Sequence, residues 1–382
     1  MIVDQTGIPY VQSSGSLQVP PPYHFPGVTV NAFVWESSMR PIQDYCDRNF
    51  NIGPVEERGF VYKPAAFWPY ALLLFLDYPV MITSNPTPQD IGEVPYSDRG
   101  VVSQSEVFVA LPLMRYGTKG GNLITHSELE WALPFITVGN PMSAVCGREM
   151  LGLGKLLAEM EFCESKFPGS FHGHVDLPGW RERRSGVMQE MLRFLTVDTA
   201  PTLPTFRSSP RTRSLATLME TRESGWMMDS MASLSNLIDS ASSGLMPTSM
   251  RTVGLKQYRD ALDPGRAVYQ ALITCRSKYS NLRDFAFYDE KDVAIGFEDI
   301  GSFHDILSVF LDVADTPTQA TVSATPVAAF RFMADIDFDM MRVIHQFAIE
   351  GGPGIPSIPA KSDLVARWFR PWHGLFRPER PA

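Results

Sequence analysis

The chain has 382 residues, 44% of them apolar and 20% charged, so it can bury a large core of ordinary globular composition. Its 33 Lys and Arg stand against 42 Asp and Glu, a formal charge of −9, which argues against nucleic acid as a partner because a phosphate backbone needs clustered cations. The four cysteines (Cys46, Cys146, Cys163, Cys275) show no CxxC spacing, so neither a zinc site nor a disulfide framework is expected.

Residues 1–27 (with SSGSLQVPPPYHFPG) read as an extended N-terminal arm. They lack a basic segment followed by an apolar one, so secretion is not expected and the setting is read as cytoplasmic. Residues 28–35, VTVNAFVW, are β-rich, and 39–51 read as a short helix. The most apolar stretch, AAFWPYALLLFLDYPVMI at 65–82, is interrupted by Pro69, Asp77 and Pro79. It reads as a buried strand or helix pair and not as a membrane span.

EVFVALPLMRY (106–116) and WALPFITV (131–138) are strand candidates, with a turn at GTKGGN (117–122). Residues 147–164 can begin as a loop and continue as helix or strand. SFHGHVDL (170–177) is strand-like again. The basic cluster WRERR at 180–184 is interrupted by Glu182 and reads as a solvated turn. Residues 201–250 change composition and place Leu and Met at helical spacings, the mark of a helical insertion. Residues 253–279 hold a β-like stretch ending in Tyr279, KDVAIGFED and HDILSVFLDV (291–313) follow, and the alternation of FRFMADIDF within 327–341 suggests a strand with one wet face. The Pro- and Trp-bearing end, 351–382, reads as an irregular tail. Many short strands with Gly/Pro turns favour a mainly β barrel or sandwich over a doubly wound sheet, with residues 28–350 as a single domain.

No P-loop, dinucleotide GxGxxG, HExxH or GxSxG occurs. His172 and His174, at i and i+2 with Asp176 continuing the face, can share a metal only if a third ligand is supplied, and a polar stripe on a strand is the plainer reading. Lys155 is different. In GREMLGLGKLLAEM it is the one lysine of an apolar run punctuated by Gly147, Gly152 and Gly154. A snorkelling lysine with its stem on the core is one account. The other is a nucleophile: a desolvated lysine favours its neutral amine and attacks carbonyls.

The stretch LPFITVGNPMSAVCGREMLGLGKLLAEM resembles the strand, turn and GRE-x-x-G-x-P-K-K-L segment of the acetoacetate decarboxylase family. Gly147, Arg148, Glu149, Gly152, Lys155 and Leu157 match in place. Glu106, in SQSEVFVALPL, matches the family's strand-borne active-site glutamate, and PPYHF at 21–25 resembles its PY-x-F segment. The resemblance implies an α+β, mainly β fold with a β-barrel and peripheral helices. It implies a cofactor-independent carbon–carbon lyase, decarboxylase-like, that forms a Schiff base between Lys155 and a small-molecule keto acid, with Glu106 moving protons. It carries Arg148 and Tyr23 over as substrate-binding residues, with a structural Arg148–Glu149 ion pair as the alternative for Arg148. Metal, nucleic acid and membrane are not expected, and a homo-oligomer is. Four departures stand out. Leu156 replaces the second lysine, Gly154 replaces the proline, and Val28 falls where an arginine is expected; a second pocket glutamate has no match within 70–84. Aldolase–dehydratase or cyclase chemistry on a larger keto acid is therefore the runner-up, and a binding protein without turnover is the reading outside enzymes.

Overall fold

The computed structural model describes residues 21–66, 68–83, 101–120, 122–164, 169–182, 184–201 and 248–347. In chain order the elements are β1 (Tyr23–Glu36), α1 (Met39–Asn49), α2 (Val55–Arg58), β2 (Phe60–Pro64), β3 (Tyr70–Thr83), β4 (Val102–Lys119), β5 (Asn122–Val138) and α3 (Pro141–Glu149). They continue with β6 (Leu156–Leu157), β7 (Glu159–Glu164), β8 (Phe171–Gly179), β9 (Glu190–Thr199), β10 (Thr248–Arg259), β11 (Ala267–Phe287) and β12 (Val293–Glu298). The last are α4 (His304–Leu307), β13 (Thr321–Ala324), β14 (Pro326–Phe338) and β15 (Arg342–Gln346).

The fold is mainly β, and its centre is a closed barrel. Strands run in the order β4-β3-β1-β14-β11-β10-β5, and β5 pairs back onto β4. Closure leaves these strands no open edge. β2 adds to β4 outside the ring, and β6 adds to β5 in parallel register. A second sheet, ordered β13-β12-β9-β8-β7, covers part of the barrel wall.

This layering explains the apolar run of β3. Alternate residues of a strand point to opposite faces. Leu72, Leu74, Leu76 and Tyr78 join the interior cluster with Val30, Ala32, Phe330 and Phe332. Phe75, on the opposite face, packs on the second sheet, its ring 5.1 Å from Phe171 and 5.2 Å from Phe162. A strand buried on both faces reads as a continuous apolar run. Of the two expected forms for 65–82, the strand is the one found. Among the described residues, no helix is long and apolar enough to cross a membrane.

Two local expectations need correction. The segment 147–164 does not begin as a loop: α3 already covers Pro141–Glu149, a loop follows, and β6 and β7 take the rest. Asn140 and Pro141 start that helix. The Asn140 side chain accepts hydrogen bonds from the Met142 and Ser143 amides at 2.9 and 3.3 Å, and proline suits the first helical position. At the N-terminus, β1 begins at Tyr23, inside the segment read as an arm, and Tyr23 and Phe25 are buried.

By compactness the chain divides into Met1–Lys256 with Ala271–His345, which contains the barrel, and Gln257–Gln270 with Gln346–Ala382. The described part of the second unit is the tip of the β10–β11 hairpin with residues 346 and 347. Most of the expected helical insertion (202–247) and the expected tail (351–382) lie outside the described residues, as do residues 1–20 of the expected arm.

Candidate active site

Strand register brings Lys155 to its place. β6 starts one residue after it and pairs with β5 through Thr137↔Leu156 and Val138↔Leu157. Val138 is in turn the register partner of Glu106 on β4. Lys155 therefore arrives beside Glu106, although 49 residues separate them in sequence. The loop before it turns at Gly152, whose φ of +58° favours glycine. Gly147 matters for a different reason. A Cβ there would lie 2.3 Å from Lys155 Cδ, so the lysine stem crosses α3 where the helix has no side chain.

The amine ends in a polar cluster inside an apolar wall. Lys155 Nζ is 2.6 Å from Glu106 Oε2 and 3.3 Å from Ser143 Oγ. Ser143 and Gly147 are four residues apart on α3, hence on one helical face. Tyr78 donates its hydroxyl to Glu106 Oε1 at 3.3 Å, and Gln104 Nε2 donates to Oε2 at 3.4 Å. Lys155 and Glu106 are each only 6% exposed. Burial, with the Glu106 charge beside it, pushes the Tyr78 phenol well above its ordinary value, and the same two causes raise Tyr279. Burial also raises Tyr23. These phenols are proton-bearing hydrogen-bond donors at neutral pH.

The cluster opens on a cavity of about 60 Å³, room for roughly four or five waters. Phe25, Leu76, Phe108, Ile136, Leu153 and Ile336 supply much of its apolar wall. Among the described residues, Lys155 is the only cationic side chain lining it. Val28, where the family's arginine falls, is fully buried in the interior cluster. β3 lines the cavity with Leu76, Tyr78 and Met81, so no second carboxylate comes from that strand.

Of the expected site residues, Lys155, Glu106 and Tyr23 meet in this cavity. Arg148 is not among its lining residues. One helical step past Gly147, it points away and donates Nη1 to the Lys155 carbonyl at 3.2 Å, holding the loop that carries the lysine. Sequence reasoning missed Tyr78, Gln104, Ser143, Thr252 and Tyr279, which also line the cavity. Only Gln104 had a local signal, two residues before Glu106 on one strand face.

His172, His174 and Asp176 do share the outer face of β8. His172 Nδ1 pairs with Asp198, and His174 Nε2 lies 3.9 Å from Glu161 and 3.8 Å from Asp176. Among the described residues no group of three or more His, Cys, Asp or Glu is placed to hold a metal ion.

No protein-family model matches the chain, and no curated protein does. Solved structures similar to it include acetoacetate decarboxylase from Legionella pneumophila subsp. pneumophila str. Philadelphia 1, at 10% identity and TM-score 0.47, covering 90% of this chain and 94% of that one. The enduracididine biosynthesis enzyme MppR, complexed with pyruvate, is similar at 10% identity and TM-score 0.46, covering 88% and 95%. A further acetoacetate decarboxylase structure is similar at 12% identity and TM-score 0.45, covering 87% and 93%. The chain is thus similar in structure to acetoacetate decarboxylase and to MppR, a likeness of fold.

Proposed function

We propose that the chain is a cofactor-independent carbon–carbon lyase acting on a small keto acid through a Schiff base on Lys155. The observation that carries this reading is the 2.6 Å contact between Lys155 Nζ and Glu106 Oε2 inside an apolar cavity. An ammonium cannot attack a carbonyl, so the amine must lose a proton, and Glu106 is the acceptor in hydrogen-bond reach. Passing the proton within the pair removes two buried charges at once, which a water-poor wall favours.

The neutral amine attacks the carbonyl carbon, and the carbinolamine hydroxyl takes the proton from Glu106 and leaves as water. The products are a protonated imine on Lys155 and a Glu106 carboxylate, with the site's net charge unchanged. The imine then accepts the electron pair of a breaking carbon–carbon bond and becomes an enamine. In decarboxylation that bond releases CO2, and the enamine carbon takes up one proton from solvent. Hydrolysis of the resulting imine frees Lys155.

Decarboxylation is the reaction that the motif implies. One observation favours aldol-type cleavage or dehydration as the second reading: Lys155 is the cavity's only cation among the described residues, and Glu106 already balances it. A substrate carboxylate would add a buried negative charge with no partner of its own.

Oxygen exchange tests the imine. Acetone labelled with 18O should lose its label to water in the presence of the parent protein, at a rate that falls to the uncatalysed background in Lys155→Met. Equal rates with and without protein contradict the reading. Assay of CO2 release from acetoacetate on the same preparation separates decarboxylation from aldol-type chemistry.

A further inference from the structure

The cavity wall beside Glu106 carries hydrogen-bonding capacity that the protein leaves unused. Gln104 is 7% exposed and Thr252 5%. The Gln104 amide faces the Glu106 carboxylate at 3.4 Å. A carboxylate only accepts, so the amide must turn its NH2 to it and its oxygen elsewhere. That oxygen is buried and has no hydrogen-bond partner. The Thr252 hydroxyl is buried and unpartnered in the same way, while the Thr252 backbone carbonyl is already taken by Thr274 Oγ1 at 2.8 Å. Both side chains line the cavity that holds Lys155. A buried polar atom left unmet destabilises the empty site. A ligand that meets these atoms removes that penalty.

The two groups differ in what they accept. Gln104 Oε1 needs a donor, and a carboxylate at neutral pH has none to give. Thr252 can donate or accept. A ligand hydroxyl can serve both kinds of partner, whereas a ligand carboxylate can serve only Thr252. Two contacts set the scale of the distance from Lys155 to the Gln104 amide. Lys155 Nζ is 2.6 Å from Glu106 Oε2, and that oxygen is 3.4 Å from the Gln104 amide nitrogen. A hydroxyl one or two carbons from the carbonyl carbon is at this scale of separation. Charge points the same way, since no second cation among the described lining residues awaits a carboxylate.

We infer that the ligand's second polar group is a hydroxyl, so that the site prefers a small hydroxy ketone or hydroxy aldehyde to a β-keto carboxylate, with Gln104 and Thr252 as the residues that select it. This rests on the imine reading of Lys155 but not on its keto acid, for which it substitutes a ketone or aldehyde without a carboxylate.

The test is reductive trapping of the full chain with sodium cyanoborohydride and four probes: 4-hydroxybutan-2-one, hydroxyacetone, butan-2-one and acetoacetate. Mass spectrometry follows the Lys155 adduct against probe concentration, counting acetone or acetoacetate adducts together for the last. The expected result is half-maximal trapping of a hydroxy ketone at about tenfold lower concentration than butan-2-one, and below that of acetoacetate. The ratio of hydroxy ketone to butan-2-one should fall toward one in Gln104→Leu and, separately, in Thr252→Val. The ratio is read within each variant, and the two sites lie on different strands, so a folding defect in one leaves the other as a test. A parent ratio near one, better trapping of acetoacetate, or a ratio unchanged in both variants overturns the inference and leaves the imine standing. Absence of a Lys155 adduct with all four probes defeats the imine reading itself, and the inference with it.

Discussion

Lys155 Nζ and Glu106 Oε2 lie 2.6 Å apart in a cavity whose other described lining residues carry no cation. Each charge has the other as its principal compensation. Removing one partner of a buried pair strands the other, at about 3–5 kcal/mol, whereas replacing both by apolar groups is often neutral. Glu106→Leu should therefore lose about 3–5 kcal/mol of stability in urea unfolding, and adding Lys155→Met should restore most of it. Additive losses in the double variant would show that the two side chains are not energetically coupled.

Gly147 tests the path of the lysine stem. The new methyl of Gly147→Ala would sit 2.3 Å from Lys155 Cδ, so the stem must move, and the amine it carries moves with it. A misplacement of about 1 Å can cost about 100-fold in rate, and Gly147→Ala should lose about that in imine trapping. Gly154→Ala is the control, because a Cβ there meets nothing within 4 Å. Its trapping rate should stay within about twofold of the parent. Equal losses in both variants would show that the loop as a whole, and not the Gly147 contact, sets the rate.

The buried phenols set the alkaline limit of stability. Burial holds Tyr62, Tyr78 and Tyr279 above the ordinary value of 10.0, and the carboxylates of Glu130 or Glu106 add to it. Each phenol binds its proton more tightly folded than unfolded, so its contribution is complete below pH 10.0 and declines as pH rises above it. The urea midpoint should fall above that pH, with the 295 nm absorbance of these tyrosinates appearing together with unfolding. Ionisation of every tyrosine near pH 10.0 in folded protein would contradict this.

Local pattern made much of the architecture legible. The alternation in FRFMADIDF gives β14, and the apolar run of ALLLFL gives a strand buried on both faces. The GRE-x-x-G-x-x-K spacing singled out Lys155, and the structure explains its first glycine by the lysine stem that crosses it. The partners of Glu106 were harder to see. Tyr78 reads as one more member of an apolar strand, and it meets the site because β3 and β4 pair in the register Tyr78↔Gln104. Thr252 and Tyr279 come from β10 and β11, far along the chain. Such positions depend on barrel closure, which no short window encodes. Arg148 shows the opposite case: a motif match places it beside Lys155 in sequence, and one helical step turns its guanidinium to the backbone of the loop.

The most direct test of the central claim is peptide mapping after cyanoborohydride reduction in the presence of a small ketone. The account predicts one modified residue, Lys155, with a mass gain equal to the reduced imine, and no such adduct in Lys155→Ala. Modification spread over exposed lysines with Lys155 untouched, in protein shown to be folded, would contradict it.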